Sequence, residues 1–289
     1  MRTAQEMVRP AIPGPLPDPP PLPEVATGEG NSWRAFDGAW VNGRIMTTVV
    51  VMIVLALLTG RAAADMATLQ AFLRSVEEAS QVAVPVRGDG DLDIVAGNTT
   101  RRAQIVVVVR PPADAYLELR PDGLKALLFA NGQPAQWLPK GASEPTAFPH
   151  YASLADSDFT AEDIEPFRVA DYKEARITDD AGGELTVSLF PATSQYSLIV
   201  MTFDRARKVP VKALYYRDTL SNLVKMRTDD GHVQVGKTWM PTTINMETFK
   251  LRTRSALTVR WNANPTVPAE LFDPAALPKS PGLIQPTAG

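Results

Sequence analysis

Apolar and polar residues alternate along most of the chain after residue 85, the pattern of strands with one dry face and one wet face. The clearest example is residues 251–261, where Leu257, Val259 and Trp261 fall on one side and three arginines on the other. Turn signals rich in Pro, Asp and Gly separate about ten such segments. This succession predicts a mainly β protein (α+β) with an unclosed, highly curved antiparallel sheet, a half-barrel.

Two segments have helical rather than strand character. The first has four apolar residues at the spacing of one helix face, namely Leu69, Phe72, Leu73 and Val76. In the second, Thr160 followed by Glu162 can begin a short helix. We therefore expect covering helices over residues 66–79 and 149–165, which are candidate lids. A first helix that only packs on a core is the open alternative.

The N-terminal 64 residues differ from the rest. Residues 1–45 are rich in proline and predict a disordered segment. Residues 46–64 combine a short apolar stretch with the small residues Ala62 and Ala64, the pattern of a cleavable secretory signal peptide that leaves Asp65 first. This predicts a periplasmic protein. Two alternatives stay open: an uncleaved anchor in the inner membrane facing the periplasm, and a translation start at Met46, which makes residues 1–45 a mis-assigned start.

The amino-acid composition limits the kinds of functional site that the chain can form. The chain contains no cysteine and two histidines, which excludes disulfides, thiolate metal sites and thiol catalysis. A net charge of −3 provides no basic face for nucleic acid. Neither His150 nor His232 has a Ser and Asp arrangement beside it that would specify a nucleophile. The acidic cluster 156–165 fits a capped helix start better than a calcium loop, so we expect no catalytic residue, metal or cofactor.

Several motifs in the second half resemble a known family. They are Asp156–Ile164 (DSDFTAEDI), Val211–Asp218 (VKALYYRD), Leu223–Arg227, Gly236–Met246 and Pro268–Leu277, in the order and spacing found in periplasmic outer-membrane lipoprotein-sorting proteins. The resemblance implies a LolA/LolB-like fold, with helices covering a curved sheet and an apolar cavity between them. It also implies a carrier of lipid or of acylated lipoproteins, with an inner-membrane exporter or transporter as a further expected partner.

These observations predict a single domain over residues 65–277, followed by a C-terminal tail over 278–289, and a binding protein rather than an enzyme. Alternatives from other classes are a periplasmic sensor of lipoproteins and a lipid-modifying enzyme. Strand alternation suggests the residues that face the cavity: Ile105, Val107, Leu117, Leu185, Val187, Leu198, Val200, Leu257 and Trp261. A shift of one residue in a strand moves its side chains to the other face. Oligomeric state is left open.

Overall fold

The structure, a computed structural model, describes residues 66–280 and 282–284. The predicted proline-rich segment 1–45 and signal peptide 46–64 lie outside the described residues. Within the described ranges, no helix is both long enough and apolar enough to cross a membrane.

Strands make up most of the described chain. They are β1 (Val86–Ala96), β2 (Thr99–Arg110), β3 (Asp114–Arg120), β4 (Leu124–Leu128), β5 (Gln136–Leu138), β6 (Thr146–Ala147), β7 (Tyr172–Ala181), β8 (Glu184–Pro191), β9 (Leu198–Asp204), β10 (Val209–Tyr216), β11 (Leu223–Asp230), β12 (Val233–Val235), β13 (Thr238–Met240), β14 (Thr243–Thr248) and β15 (Thr253–Ala263). The helices are α1 over residues 66–79 and α2 (Ala161–Ile164), with 3-10 turns at Val169–Asp171, Ala269–Phe272 and Pro274–Ala276.

Thirteen of these strands form one antiparallel sheet in the order β6-β5-β4-β3-β2-β1-β15-β14-β11-β10-β9-β8-β7. Strands that follow one another in the chain are mostly neighbours, because short turns favour antiparallel pairing. The long pairing of β1 with β15 joins the N-terminal half of the sheet to the C-terminal half. Strands β6 and β7 end the sheet without pairing to each other, so the sheet is open, as predicted.

The sheet curls strongly. Strands β4 and β7 are ten strand spacings apart, which would separate them by about 48 Å in a flat sheet. Yet Gly132, in the turn after β4, lies so close to Arg168, just before β7, that a Cβ atom on the glycine would clash with the guanidinium group. The two ends of the sheet therefore approach each other around a shared interior.

The main core fills this interior. Inward-facing residues of both halves of the sheet join Leu69, Leu73 and Val76 of α1 and Phe159 in one cluster. A second, smaller cluster lies on the outer face of β2 to β4, where Leu271, Phe272 and Leu277 cover it. This outer cover explains why β2 is apolar on both faces. Contact with the sheet continues beyond residue 277, since Ile284 is buried in the same cluster.

Three local expectations need correction. Residues 149–165 form a loop that contains only the one-turn helix α2, not a helical lid. The strand expected from residue 251 begins at Thr253, since Leu251 is exposed in a turn and Arg252 has a positive φ of 54°. The hairpin β12–β13 was not expected, because its two strands of three residues are too short to show alternation.

Candidate ligand-binding cavity

A cavity of about 490 Å³ lies inside the curled sheet, a size typical of small-molecule sites. Its floor is the inner face of β9, β10, β11, β14 and β15. The segment 162–172 and the hairpin β12–β13 form two of its walls, and the end of α1 and the turn 132–134 complete them. The cavity thus lies where the two ends of the sheet and their connecting segments meet.

Large apolar side chains line most of the cavity. They include Phe167, Ile199, Met201, Trp239, Ile244 and Trp261. Such a surface favours the apolar part of a ligand, because burial removes that part from water.

The hairpin β12–β13 is held in place by contacts with distant parts of the chain. Thr238 donates a 2.7 Å hydrogen bond from Oγ1 to the carbonyl of Gln81, just after α1. The indole of Trp261 donates a 2.8 Å bond from Nε1 to the carbonyl of Pro241. A Cβ atom on Gly88 would lie 2.8 Å from the Trp261 ring, so glycine at this position leaves space for the indole. These contacts fix the hairpin wall, which carries Trp239, against Trp261 of the floor.

A charged stripe interrupts the apolar floor. Lys225, Arg227 and Asp229 occupy successive inward positions of β11, where alternation alone suggests apolar residues. Arg227 makes 2.6 Å and 2.7 Å bonds from Nε and Nη2 to the Asp229 carboxylate, and its Nη1 donates to the Asp163 carbonyl at 2.7 Å. Charges this buried need partners, and all three residues have them.

Asp163 anchors the loop 149–165 to the floor. Its carboxylate accepts hydrogen bonds from the backbone N–H and the hydroxyl of Thr160, both at 2.8 Å, from Lys225 Nζ at 2.6 Å and from the Tyr196 hydroxyl at 3.1 Å. The Lys225 and Asp163 side chains are 7% and 0% exposed. The carboxylate therefore caps the N-terminus of α2 and also binds this helix to β11.

Asp158 anchors the same loop to β15. Its carboxylate accepts hydrogen bonds from the hydroxyls of Thr253 and Ser255, and the Ser255 hydroxyl accepts the Asp158 backbone N–H at 2.9 Å. Phe159, between the two anchors, is 1% exposed in the main core. The motif DSDFTAEDI thus holds a loop against the sheet, in line with the interpretation as a capped helix start. No cluster of possible metal ligands occurs in the described part of the chain.

The structure divides the residues predicted to face the cavity into three groups. Trp261 lines the cavity, as does Val76 of the predicted lid helix. Ile105, Leu117, Leu185, Val187 and Leu257 are buried in the main core, and Val107 packs against it. Leu69 and Leu73 hold α1 on that core, and Phe72 makes an edge contact with Phe203. Thus α1 acts mainly as a core helix, the alternative that the sequence left open.

Leu198 and Val200 form the third group, on the opposite face of the sheet. The β8–β9 register pairs Val187 with Met201 and Leu189 with Ile199, and all four contact the main core. Since side chains alternate with a period of two, the even-numbered residues of β9 face outward. The sequence could not set this phase, because β9 is apolar at four consecutive positions, 198–201.

Sequence reasoning missed most residues of the segment 162–172. Phe167 lies in an irregular stretch without a clear period, and Tyr172 stands at the very start of β7. The sequence does offer Trp239 as a tryptophan that lines a cavity or anchors a core, and it lines the cavity. His150 lies at the rim, 3.8 Å from the Glu165 carboxylate, and more than half of its side chain is exposed. Burial raises the pKa of both Glu162 and Glu165, which line the same wall. No triad of nucleophile, base and orienting acid is present among these lining residues.

His232 stands at the base of the hairpin and lines the cavity. Its Nε2 is buried and has no hydrogen-bond partner within the described chain. The other ring nitrogen faces the backbone of Pro210, which offers only a carbonyl. Burial lowers the pKa of His232; Arg207 lowers it further, whereas Asp229 and Asp204 oppose the shift. The imidazole is therefore held in its neutral form.

This shift predicts a loss of stability in mild acid. Because the folded pKa lies below the unfolded value of about 6.5, the stabilising contribution is complete above pH 6.5 and declines as the pH falls through the folded pKa. Urea unfolding at several pH values should show that the wild-type protein loses more free energy of unfolding below pH 6.5 than His232→Gln, which cannot titrate. Parallel pH profiles for the two proteins would contradict this assignment.

Comparison with known proteins supports the fold. A family model described as "Uncharacterized protein" matches residues 144–279, and a search of curated sequences finds no match. Among solved structures, a domain assigned as an outer membrane lipoprotein-sorting protein from Vibrio parahaemolyticus is 14% identical, with a TM-score of 0.64, over 72% of this chain and 97% of that one.

Two further solved structures agree. A DUF1329 family protein from Desulfovibrio piger is 16% identical, with a TM-score of 0.63, over 73% of this chain and 98% of its own. A LolA superfamily protein from Nitrosomonas europaea is 16% identical, with a TM-score of 0.56, over 70% of this chain and 96% of its own. The predicted resemblance is confirmed at the level of the fold: this chain has the LolA-type fold of the outer-membrane lipoprotein-sorting proteins.

Proposed function

We propose that this protein is a periplasmic carrier that holds lipid, or the acyl chains of lipoproteins, for transfer towards the outer membrane. The observation that supports the proposal best is the cavity of about 490 Å³, lined largely by aromatic and aliphatic side chains, inside a sheet of the LolA type. An apolar chain gains about 0.8 kcal/mol for each methylene that leaves water. Such a cavity can therefore hold a chain without covalent chemistry, and we assign the protein a binding rather than a catalytic role.

The two cavity walls suggest how cargo enters. The floor is continuous sheet, so a ligand enters past the segments that surround it, and we assign the entrance to the hairpin β12–β13 and the segment 162–172. They take the place of the helical lids that the sequence suggested. Export would follow from the predicted signal peptide at 46–64, and mass spectrometry of the mature protein should find Asp65 at its N-terminus. An inner-membrane exporter remains a partner predicted from the sequence.

The proposal predicts a dependence of affinity on chain length. Methyl esters of fatty acids of increasing length should compete with an apolar fluorescent probe, each added methylene improving affinity about fourfold until the cavity is full. The gain should then stop, because further methylenes remain in water. Competition measured on the purified protein tests this.

The same preparation tests transfer. The protein should release an acylated lipoprotein from inner-membrane vesicles and deliver it to acceptor vesicles. Binding of the lipoprotein without delivery would favour the sensor interpretation instead. If no probe binds and no lipid or acylated peptide co-purifies, the carrier proposal is wrong.

A further inference from the structure

Two tyrosines line the cavity from different strands of the sheet. Tyr215 lies on the inner face of β10 and is 4% exposed. Tyr172 begins β7, after the wall segment, and its ring stacks on Phe167 with centroids 5.6 Å apart. Both line the cavity. Their phenol groups are therefore the polar ends of otherwise apolar surfaces.

Neither phenol hydroxyl has a hydrogen-bond partner in the described chain, in contrast to the other buried tyrosines. The Tyr196 hydroxyl donates to Asp163 and the Tyr116 hydroxyl to Glu118, each at 3.1 Å. Among the described residues, the fully buried side-chain nitrogen and oxygen atoms that lack a hydrogen-bond partner are Arg205 Nε and His232 Nε2. The hydroxyls of Tyr172 and Tyr215 are not among them, so they remain accessible from the cavity.

The nearby arginines make no hydrogen bond to these hydroxyls, because they are paired with other groups. The three nitrogens of the Arg227 guanidinium donate to the Asp229 carboxylate and the Asp163 carbonyl. Arg168 is paired with Asp171 at 2.7 Å. Both guanidinium groups are therefore already paired with carboxylates of the protein. The two phenol hydroxyls beside them are neutral donors without a protein partner, and such donors suit a neutral acceptor such as a carbonyl oxygen.

Building on the proposed function, we propose that Tyr172 and Tyr215 form a polar subsite that donates hydrogen bonds to the ester or amide carbonyl of a bound acyl chain. Lipids and acylated proteins both carry such a carbonyl at the head of each chain. Burial raises the pKa of both phenols, so they stay protonated and able to donate at neutral pH. The subsite would set the depth at which the chain is held, with the head group towards these tyrosines.

Paired ligands with and without a carbonyl test this subsite. Methyl octanoate and decane have the same chain length, but only the ester can accept a hydrogen bond. Tyr215→Phe and Tyr172→Phe should each weaken the binding of methyl octanoate about three- to tenfold, the range of one neutral hydrogen bond. Each should leave the binding of decane unchanged. Neither variant removes a hydrogen bond from another group of the protein, so both should fold with wild-type stability.

Tyr216→Phe is the matched control, because this neighbour of Tyr215 on β10 lies on the opposite face of the strand, away from the cavity. It should bind both ligands as the wild-type protein does. If the tyrosine variants bind methyl octanoate with unchanged affinity, or lose decane equally, the subsite is wrong and the carrier proposal stands. If the wild-type protein binds neither ligand, the carrier proposal itself fails.

Discussion

Lys225→Met should lower the free energy of unfolding by about 3–5 kcal/mol, because it leaves the Asp163 carboxylate buried without its cation. Methionine keeps most of the length of the side chain, so lost packing is a minor part of this effect. The remaining donors, Thr160 and Tyr196, are neutral and cannot balance a full charge. Urea unfolding measures the loss, and an unchanged denaturant slope would show that the fold is retained.

Two further variants test whether the loss of stability comes from the broken ion pair or from the removal of a lysine side chain. Lys212→Met removes an exposed lysine from β10 and should change stability by no more than about 0.5 kcal/mol. Adding Asp163→Asn to Lys225→Met removes both charges, so the double variant should lose clearly less than the sum of the two single variants. Strict additivity would mean that the ion pair does not hold the loop to β11.

Phe159→Ala should cost about 3–5 kcal/mol, the usual loss for a fully buried aromatic side chain. Phe159 lies between the two anchoring residues, Asp158 and Asp163, and inserts into the main core. Its removal leaves a cavity that the anchored loop cannot readily close. Chemical denaturation measures the effect, and the loop should become more accessible to protease at the same time.

Phe249→Ala is the matched control for this prediction. Phe249 is 36% exposed in the turn between β14 and β15, so its replacement should cost well under 1 kcal/mol. A loss of similar size for both phenylalanines would contradict the assignment of Phe159 as the buried anchor of the motif.

The two anchors also show what the sequence motif could and could not reveal. Thr160 followed by acids indicates a helix start from local chemistry alone, and α2 begins there. The partners of the acids, Ser255 on β15 and Lys225 on β11, lie 97 and 62 residues away along the chain. The local sequence around the motif does not indicate these partners. The pairing of the β11 charges with this loop therefore depends on the tertiary structure.

Period-two alternation and turn residues are local signals, so they predicted most of the strands and the open antiparallel sheet. The resemblance to the lipoprotein-sorting proteins came from the motifs of the second half of the chain. The position of the cavity, in contrast, follows from the tertiary structure. The curl of the sheet brings the turn at Gly132 against Arg168, and the register of β9 directs Met201 rather than Val200 inward. Curl and register depend on pairing between distant strands. Most residues predicted to line the cavity therefore lie in the main core. The walls are formed instead by short segments that contain aromatic residues.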